Sequence, residues 1–133
     1  FDELRNYTDS VIEKFNVKTT GAQAIASSLS GGNLQKFVVG REVGQKPSLL
    51  VVNQPTWGVD ALSAANIREA IVEIANSGAA VILISQDLDE LLEISNKVAF
   101  LTNGILSMPT ETKNIKSSEI GALMGGLRAG EPI

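Results

Sequence analysis

Two short aliphatic segments, joined by a segment with helical periodicity, constrain the fold of this chain most strongly. Residues 49–52 and 80–85 are continuous apolar runs bounded by turn residues, a pattern typical of strands buried on both faces of a parallel sheet. Residues 62–76 between them carry an apolar stripe at helical spacing, and Gly78 follows as a helix stop. Parallel strands joined by a helix need right-handed crossovers, so we expect an α/β fold with a mostly parallel sheet.

The flanking segments extend this pattern in both directions. We expect further helices, which span residues 7–15, 31–43, 88–95 and 117–124. Ser30 and Ser117 are the expected N-caps of two of them, and Gly44 is an expected stop. Residues 97–102 alternate as a third strand, and the Asn103-Gly104 pair is typical of a type I′ turn. We therefore expect residues 105–106 to return as a C-terminal antiparallel hairpin.

Composition excludes several classes of function. A chain of 133 residues can bury one modest core, and its formal net charge of -4 argues against a nucleic-acid surface. The chain contains no cysteine and no histidine, so disulfides, thiolate metal sites and histidine bases are impossible within it. Its aliphatic runs are far shorter than the roughly 20 residues of a membrane-spanning helix, and no signal peptide is visible.

The first candidate site is the glycine turn, residues 29–33, which reads Leu-Ser-Gly-Gly-Asn and opens a predicted helix. A serine N-cap followed by two glycines exposes unpaired backbone N–H groups at the positive helix end, where no side chain holds a phosphate away. The plain alternative is an ordinary capped helix with a tight entry. The following Gln35-Lys36 pair resembles the polar and basic continuation of this segment in ABC-type ATPases, and this resemblance favours the anion site.

The second candidate site follows the two predicted strands. Asn53 and Gln54 end the first strand, and Gln86 follows the second. Carboxamides can hydrogen-bond, but they are neutral and cannot accept a proton near neutral pH. Taken singly, each segment could be a strand that ends in a polar turn. The residues after Gln54, which read Pro-Thr-Trp-Gly-Val-Asp, resemble the D-loop of the same family at the same spacing, and this resemblance favours a functional interpretation of the turn.

In order along the chain, the segments LSGGNLQK, VVNQPTWGVD and ISQDLDELLEIS resemble the second ATPase domain of the tandem-domain ABC importers for nucleosides and simple sugars. The resemblance implies a partial P-loop NTPase (RecA-like) core plus the end of the ABC helical subdomain. The implied boundaries are residues 1–46 for the helical subdomain, 47–126 for the C-terminal half of the core, and 127–133 for a disordered tail.

The resemblance also implies a role for each site residue. The signature motif would bind ATP held by the facing ATPase domain, in trans, through Ser30, Gly31, Gly32, Asn33 and Gln35. The Walker B carboxylates and the switch histidine of the family are replaced by Asn53, Gln54 and Gln86, so no catalytic residue is intact and no metal ligand is expected. Asp60 is the expected interface residue of the D-loop. Trp57 is either a partner contact or a packing anchor.

The implied cofactors are ATP and Mg²⁺ in the complete subunit. This chain lacks the phosphate loop G-x-x-x-x-G-K-[ST], so alone it should not bind ATP tightly or hydrolyse it. The implied partners are a facing ABC ATPase domain, membrane permease subunits and, indirectly, a substrate-binding lipoprotein, without nucleic acid. The subunit would lie at the cytoplasmic face of the membrane, held peripherally by the permease.

Our main hypothesis is therefore a C-terminal fragment of the energy-coupling subunit of an ABC importer. The alternative is a non-catalytic half-domain that docks on an intact ABC ATPase domain as an interaction module. An ATPase head of the DNA-repair type would need Walker B carboxylates and basic surfaces, and an unrelated α/β domain would need the motifs to coincide by chance. Because a core split before the signature leaves a central strand edge bare, we expect the isolated chain to be marginally stable or to dimerise.

Overall fold

The computed structural model describes residues 1–116 and 120–121, and it divides the chain into two compact units. The first unit is Phe1–Gln86 and the second is Asp87–Ile133. The predicted cap at Ser117, most of the helix predicted to Met124 and the predicted tail, 127–133, lie outside the described residues.

Two helices that pack against each other open the first unit. Helix α1 spans Asp2–Lys14, a 3₁₀ turn spans Ala26–Ser28, and helix α2 spans Gly31–Gly44. Helix α1 begins five residues earlier than predicted, and the acidic side chains in its first turn suit the helix dipole. A Cβ at Gly40 would lie 2.5 Å from the Phe15 ring, so this glycine lets the two helices approach closely.

The parallel sheet of the first unit has two strands. Strand β1, Leu49–Asn53, pairs with strand β2, Ala80–Ile84, and Asn53 lies opposite Ile84 at the carboxyl ends. Helix α3, Ala61–Asn76, makes the crossover between them. It buries its apolar stripe against the core through Ile67, Ala70, Ile71 and Ile74. The predicted strand–helix–strand order is confirmed, as is the α/β class.

The prediction that both strands are buried on both faces is wrong. Leu50 and Val52 are buried, but Leu49 and Val51 are 55% and 57% exposed, and Ile82 of β2 is 52% exposed. In the described part of the first unit, helices pack on one face of the sheet and leave the other open. An aliphatic run shows that a segment can be buried on both faces, but burial also requires a second covering layer.

The second unit contains a short helix and four two-residue strands. Helix α4 spans Leu88–Ile94, and it is capped by Asp87. The strands and a final 3₁₀ turn are β3 Lys97–Val98, β4 Leu101–Thr102, β5 Ile105–Leu106, β6 Thr110–Glu111 and Thr112–Asn114. Strand β3 pairs antiparallel with β6, and β4 with β5.

The predicted strand over residues 97–102 is therefore wrong in its length, since residues 101–102 pair with residues 105–106 as expected but residues 97–98 pair with β6. It divides into β3 and β4, because Phe100 between them exchanges hydrogen bonds with Ser107 instead of continuing a ladder. Strand β6 was not predicted from the sequence. The hairpin at Asn103-Gly104 is confirmed, since both residues have positive φ, 51° and 76°, as a type I′ turn requires.

Candidate functional site

The glycine turn forms the start of helix α2. Ser30 is the N-cap, and its side-chain oxygen accepts a hydrogen bond from the backbone N–H of Asn33 at 3.4 Å. The carbonyl of Ser30 accepts from the N–H of Leu34 at 2.9 Å. The N–H groups of Gly31 and Gly32 belong to the first helical turn and have no acceptor within the helix. They are the donors available to an anion at this helix end.

The Asn33 side chain makes two hydrogen bonds that stabilise the glycine turn. Its Nδ2 donates to Ser30 Oγ at 2.9 Å, and its Oδ1 accepts from the backbone N–H of Lys18 at 2.9 Å. The serine hydroxyl is thus held in one position, and the loop after α1 is tied to the helix start. Asn33 therefore positions Ser30, a connection that the sequence did not reveal.

The two glycines of the turn have different surroundings. A Cβ at Gly31 would meet nothing within 4 Å, so its outer side is open. A Cβ at Gly32 would lie 2.8 Å from the carbonyl oxygen of Gly58, in the turn between β1 and α3. The close approach of these backbones needs glycine at position 32, whereas Gly31 leaves room for a ligand.

Gln35 links helix α2 to the end of strand β1. Its Nε2 donates to the carbonyl oxygens of Gln54 at 3.1 Å and Pro55 at 3.0 Å. Gln54 has a φ of 51°, which non-glycine residues rarely adopt, and its N–H donates to the Ile84 carbonyl at 2.8 Å. The turn after β1 is thus held by hydrogen bonds from α2 and from β2.

A cleft of about 380 Å³, here called the carboxamide cleft, lies at the carboxyl ends of β1 and β2. It is lined by Gln35, Asn53, Gln54, Trp57 and Gln86. The parallel register places Asn53 and Gln54 beside the residues that follow β2, and so brings the three predicted amide positions into one cleft. Four of the five lining side chains end in neutral carboxamides, and the fifth, Trp57, is 72% exposed.

Asp60 lies at the start of helix α3 and does not line the cleft. Its carboxylate caps the helix by accepting from the backbone N–H of Ser63 at 3.0 Å and from Ser63 Oγ at 2.7 Å. These hydrogen bonds lower the pKa of Asp60 below its ordinary value, and the positive charge of Lys36 lowers it further. In the structure, the residue predicted to lie at the interface acts as a helix cap.

Lys36 is a buried cation whose environment the sequence did not indicate. Only 5% of it is exposed, and its Nζ donates to the carbonyl oxygen of Asn16 at 2.7 Å. Asn16 itself has a φ of 49° in the turn that ends α1. The basic residue after Gln35 was visible in the sequence, but its burial depends on the packing of α1 and α2.

The donor sets of the two sites fit different groups. The open N–H groups at the start of α2 fit an anion such as a phosphate. The carboxamide cleft does not fit Mg²⁺, because this cation favours carboxylate and phosphate oxygens and gives up its waters reluctantly. Within residues 1–116 and 120–121, no group of three or more acidic, histidine or cysteine side chains could hold a metal ion. The same residues include no helix long and apolar enough to span a membrane.

Sequence comparison finds import proteins, although no family model matches the chain. The chain is 38% identical, over 95% of its length, to the glucose import ATP-binding protein TsgD13 of Haloferax volcanii. It is 34% identical over 95% of its length to the nucleoside import ATP-binding protein NupA of Lactococcus lactis, and 36% identical over 88% to the galactose/methyl galactoside import ATP-binding protein MglA of Escherichia coli K12. The chain spans about a quarter of these relatives, between 23% and 25% of their length.

Solved structures resemble the fold over most of the chain. A dimeric ATP-binding cassette in a post-hydrolysis state, bound to ADP and Pi, gives a TM-score of 0.74 at 18% identity and covers 86% of this chain and 49% of its own. An inward-facing putative metal-chelate type ABC transporter gives 0.70 at 22% identity, covering 92% of this chain and 49% of its own. These likenesses show the fold: the chain resembles about half of each solved P-loop NTPase structure.

Proposed function

The chain is homologous to the ATP-binding proteins of ABC importers, and from this premise we propose that it is the C-terminal part of an importer's energy-coupling subunit. Its solute would be a nucleoside or a simple sugar, the classes that the relatives' names state. In this proposal residues 1–46 end the helical subdomain and residues 47–126 complete the ATPase core. The observation that carries the proposal is the open start of helix α2.

The glycine turn would act on a nucleotide held by a facing ATPase domain. The N–H groups of Gly31 and Gly32 and the hydroxyl of Ser30 would donate to the γ-phosphate, and the helix dipole would favour its negative charge. Asn33 holds the Ser30 hydroxyl in place. The absence of any contact at a Gly31 Cβ supports this role, since a phosphate could reach the backbone there.

The carboxamide cleft would form the impaired nucleotide site of the subunit. When bound, ATP with Mg²⁺ would supply a polarised γ-phosphate at the competent site. At the cleft, Asn53, Gln54 and Gln86 can orient a ligand by hydrogen bonding, but none of them can take a proton from water. We therefore assign no hydrolysis to this site. The glycine turn of the same chain would bind the nucleotide of the other, competent site.

The partners follow from the subunit's place in an importer. A facing ATPase domain would contact the glycine turn, Trp57 and Asp60. Permease subunits would hold the protein peripherally at the cytoplasmic face of the membrane, and a substrate-binding lipoprotein would act through them. A chain that binds an intact ATPase domain without an upstream phosphate loop of its own would instead be an interaction module.

Calorimetric titration with ATP and Mg²⁺ tests the proposal. We expect no tight binding to the chain alone and micromolar binding to a version extended upstream through the phosphate loop that its gene encodes. Tight binding to the chain alone would contradict the proposal, because the site would then be built from other residues. A gene that encodes no such loop upstream would favour the interaction module.

A further inference from the structure

The carboxamide cleft is polar without being charged. Each carboxamide has two N–H donors and one acceptor oxygen. Gln35 uses its donors on the carbonyls of Gln54 and Pro55. Asn53, Gln54 and Gln86 make no side-chain hydrogen bond within the described part of the chain, so their donors and acceptors face the cleft unengaged.

The nearby charges do not alter this neutrality. The Asp60 carboxylate does not line the cleft, and it accepts hydrogen bonds from Ser63. Lys36 is buried and bonded to the Asn16 carbonyl. The residues that line the cleft include neither a carboxylate nor a cation. A ligand in the cleft therefore meets only hydrogen-bonding groups and the exposed Trp57 ring.

This neutrality changes what a nucleotide needs in order to bind. Carboxylates beside a polyphosphate repel it, and a divalent cation between them removes that repulsion. With carboxamides in their place, the cation loses its anionic protein ligands and the polyphosphate loses its anionic neighbours. Amide N–H groups can then donate directly to phosphate oxygens.

We propose that the carboxamide cleft binds the phosphates of a nucleotide without a divalent cation. This rests on the proposed function, which supplies the phosphate loop from another part of the same subunit. Asn53, Gln54 and Gln86 donate through their side chains, because the backbone N–H of Gln54 is already bonded to Ile84. The subunit then holds two kinds of nucleotide, one with Mg²⁺ at the competent site and one without it here.

Equilibrium binding of ATP to the whole subunit, in excess Mg²⁺ and in excess EDTA, tests this inference. We expect two bound nucleotides per subunit in Mg²⁺ and one in EDTA. The EDTA-resistant nucleotide should bind at least as tightly in EDTA as in Mg²⁺, because its site needs no cation and in excess Mg²⁺ must compete with the cation for ATP.

The double substitution Asn53→Asp with Gln54→Glu assigns the EDTA-resistant nucleotide to the cleft. In EDTA it should weaken the binding of that nucleotide by about 30-fold or more, because two carboxylates then repel the phosphates. Mg²⁺ should restore binding. The matched control, Gln45→Glu with Asn76→Asp, adds the same charge at exposed positions outside the cleft and should leave binding unchanged.

The outcomes separate the inference from the proposed function. Two Mg²⁺-dependent nucleotides, with none left in EDTA, would overturn the inference and leave the proposed function intact. An EDTA-resistant nucleotide that is insensitive to the double substitution would also overturn it. A subunit that binds no nucleotide at all would overturn the inference together with the proposed function.

Discussion

The carboxamide of Gln35 connects residues that are far apart in the sequence. Its Nε2 bonds to carbonyl oxygens 19 and 20 residues further along the chain, and these belong to a turn in which Gln54 has a positive φ. Such a backbone conformation persists when surrounding groups hold it. Gln35 thus stabilises the turn that carries both Gln54 and Trp57, and it does so from the helix that begins with the glycine turn.

We predict that Gln35→Met lowers the free energy of unfolding by about 1–3 kcal/mol, because two carbonyl oxygens lose their donor while the side-chain length is kept. Urea unfolding followed by the fluorescence of Trp57, the only tryptophan of the chain, measures this. The control is Gln45→Met, at an exposed position after α2, which should change stability little. Equal effects of the two substitutions would contradict the role assigned to Gln35.

The backbone of helix α2 lies close to the backbone of the turn after β1. Gly32 faces the Gly58 carbonyl, whereas Gly31, one residue earlier, faces open space. Neither Gly31 nor Gly32 has a positive φ, so the difference between them comes from packing and not from backbone strain. One glycine therefore serves the contact between elements and the other leaves the helix start accessible.

Substitution by alanine should separate these two roles. We expect Gly32→Ala to destabilise the chain by about 1–3 kcal/mol, since the new Cβ meets a backbone oxygen that cannot turn aside. Gly31→Ala should stay within about 0.5 kcal/mol of the wild type, as is usual for an exposed position. Thermal unfolding of both variants, monitored by circular dichroism, decides between these outcomes. A fully stable Gly32→Ala protein would show that the two backbones are not held in contact.

At the scale of the whole molecule, the open face of the sheet is the main liability. Leu49, Val51, Ile82 and Ile84 are each more than half exposed. The register aligns Val51 with Ile82, so these side chains form one aliphatic surface across both strands. Such a surface promotes association in water.

We therefore predict that the isolated chain self-associates, and that Val51→Thr with Ile82→Thr reduces this association. The hydroxyl groups lower the gain from burying the open face while keeping β-branched side chains in the strands. Sedimentation velocity over a range of concentrations gives the measurement. The control is Leu62→Thr, which removes an exposed apolar side chain from helix α3 instead. A wild-type chain that is monodisperse and melts cooperatively as a monomer would contradict the prediction.

Local sequence patterns were enough to predict the order and type of most elements. Ser30, Asp87 and the Asn103-Gly104 pair act within a few residues of themselves, as caps or as a turn, so their structures could be predicted locally. The two aliphatic runs and the helix between them implied parallel strands. Because such strands end at the same edge, the sequence also implied that Asn53, Gln54 and Gln86 would meet.

Contacts between distant segments could not be predicted from such patterns. An aliphatic run looks the same whether one or both of its faces are covered, so the sequence could not show that half of the sheet stays open. The pairing of β3 with β6, the contact of Gly32 with Gly58 and the burial of Lys36 each depend on a partner at least 12 residues away. Such contacts arise when the elements pack together, and no local residue pattern encodes them.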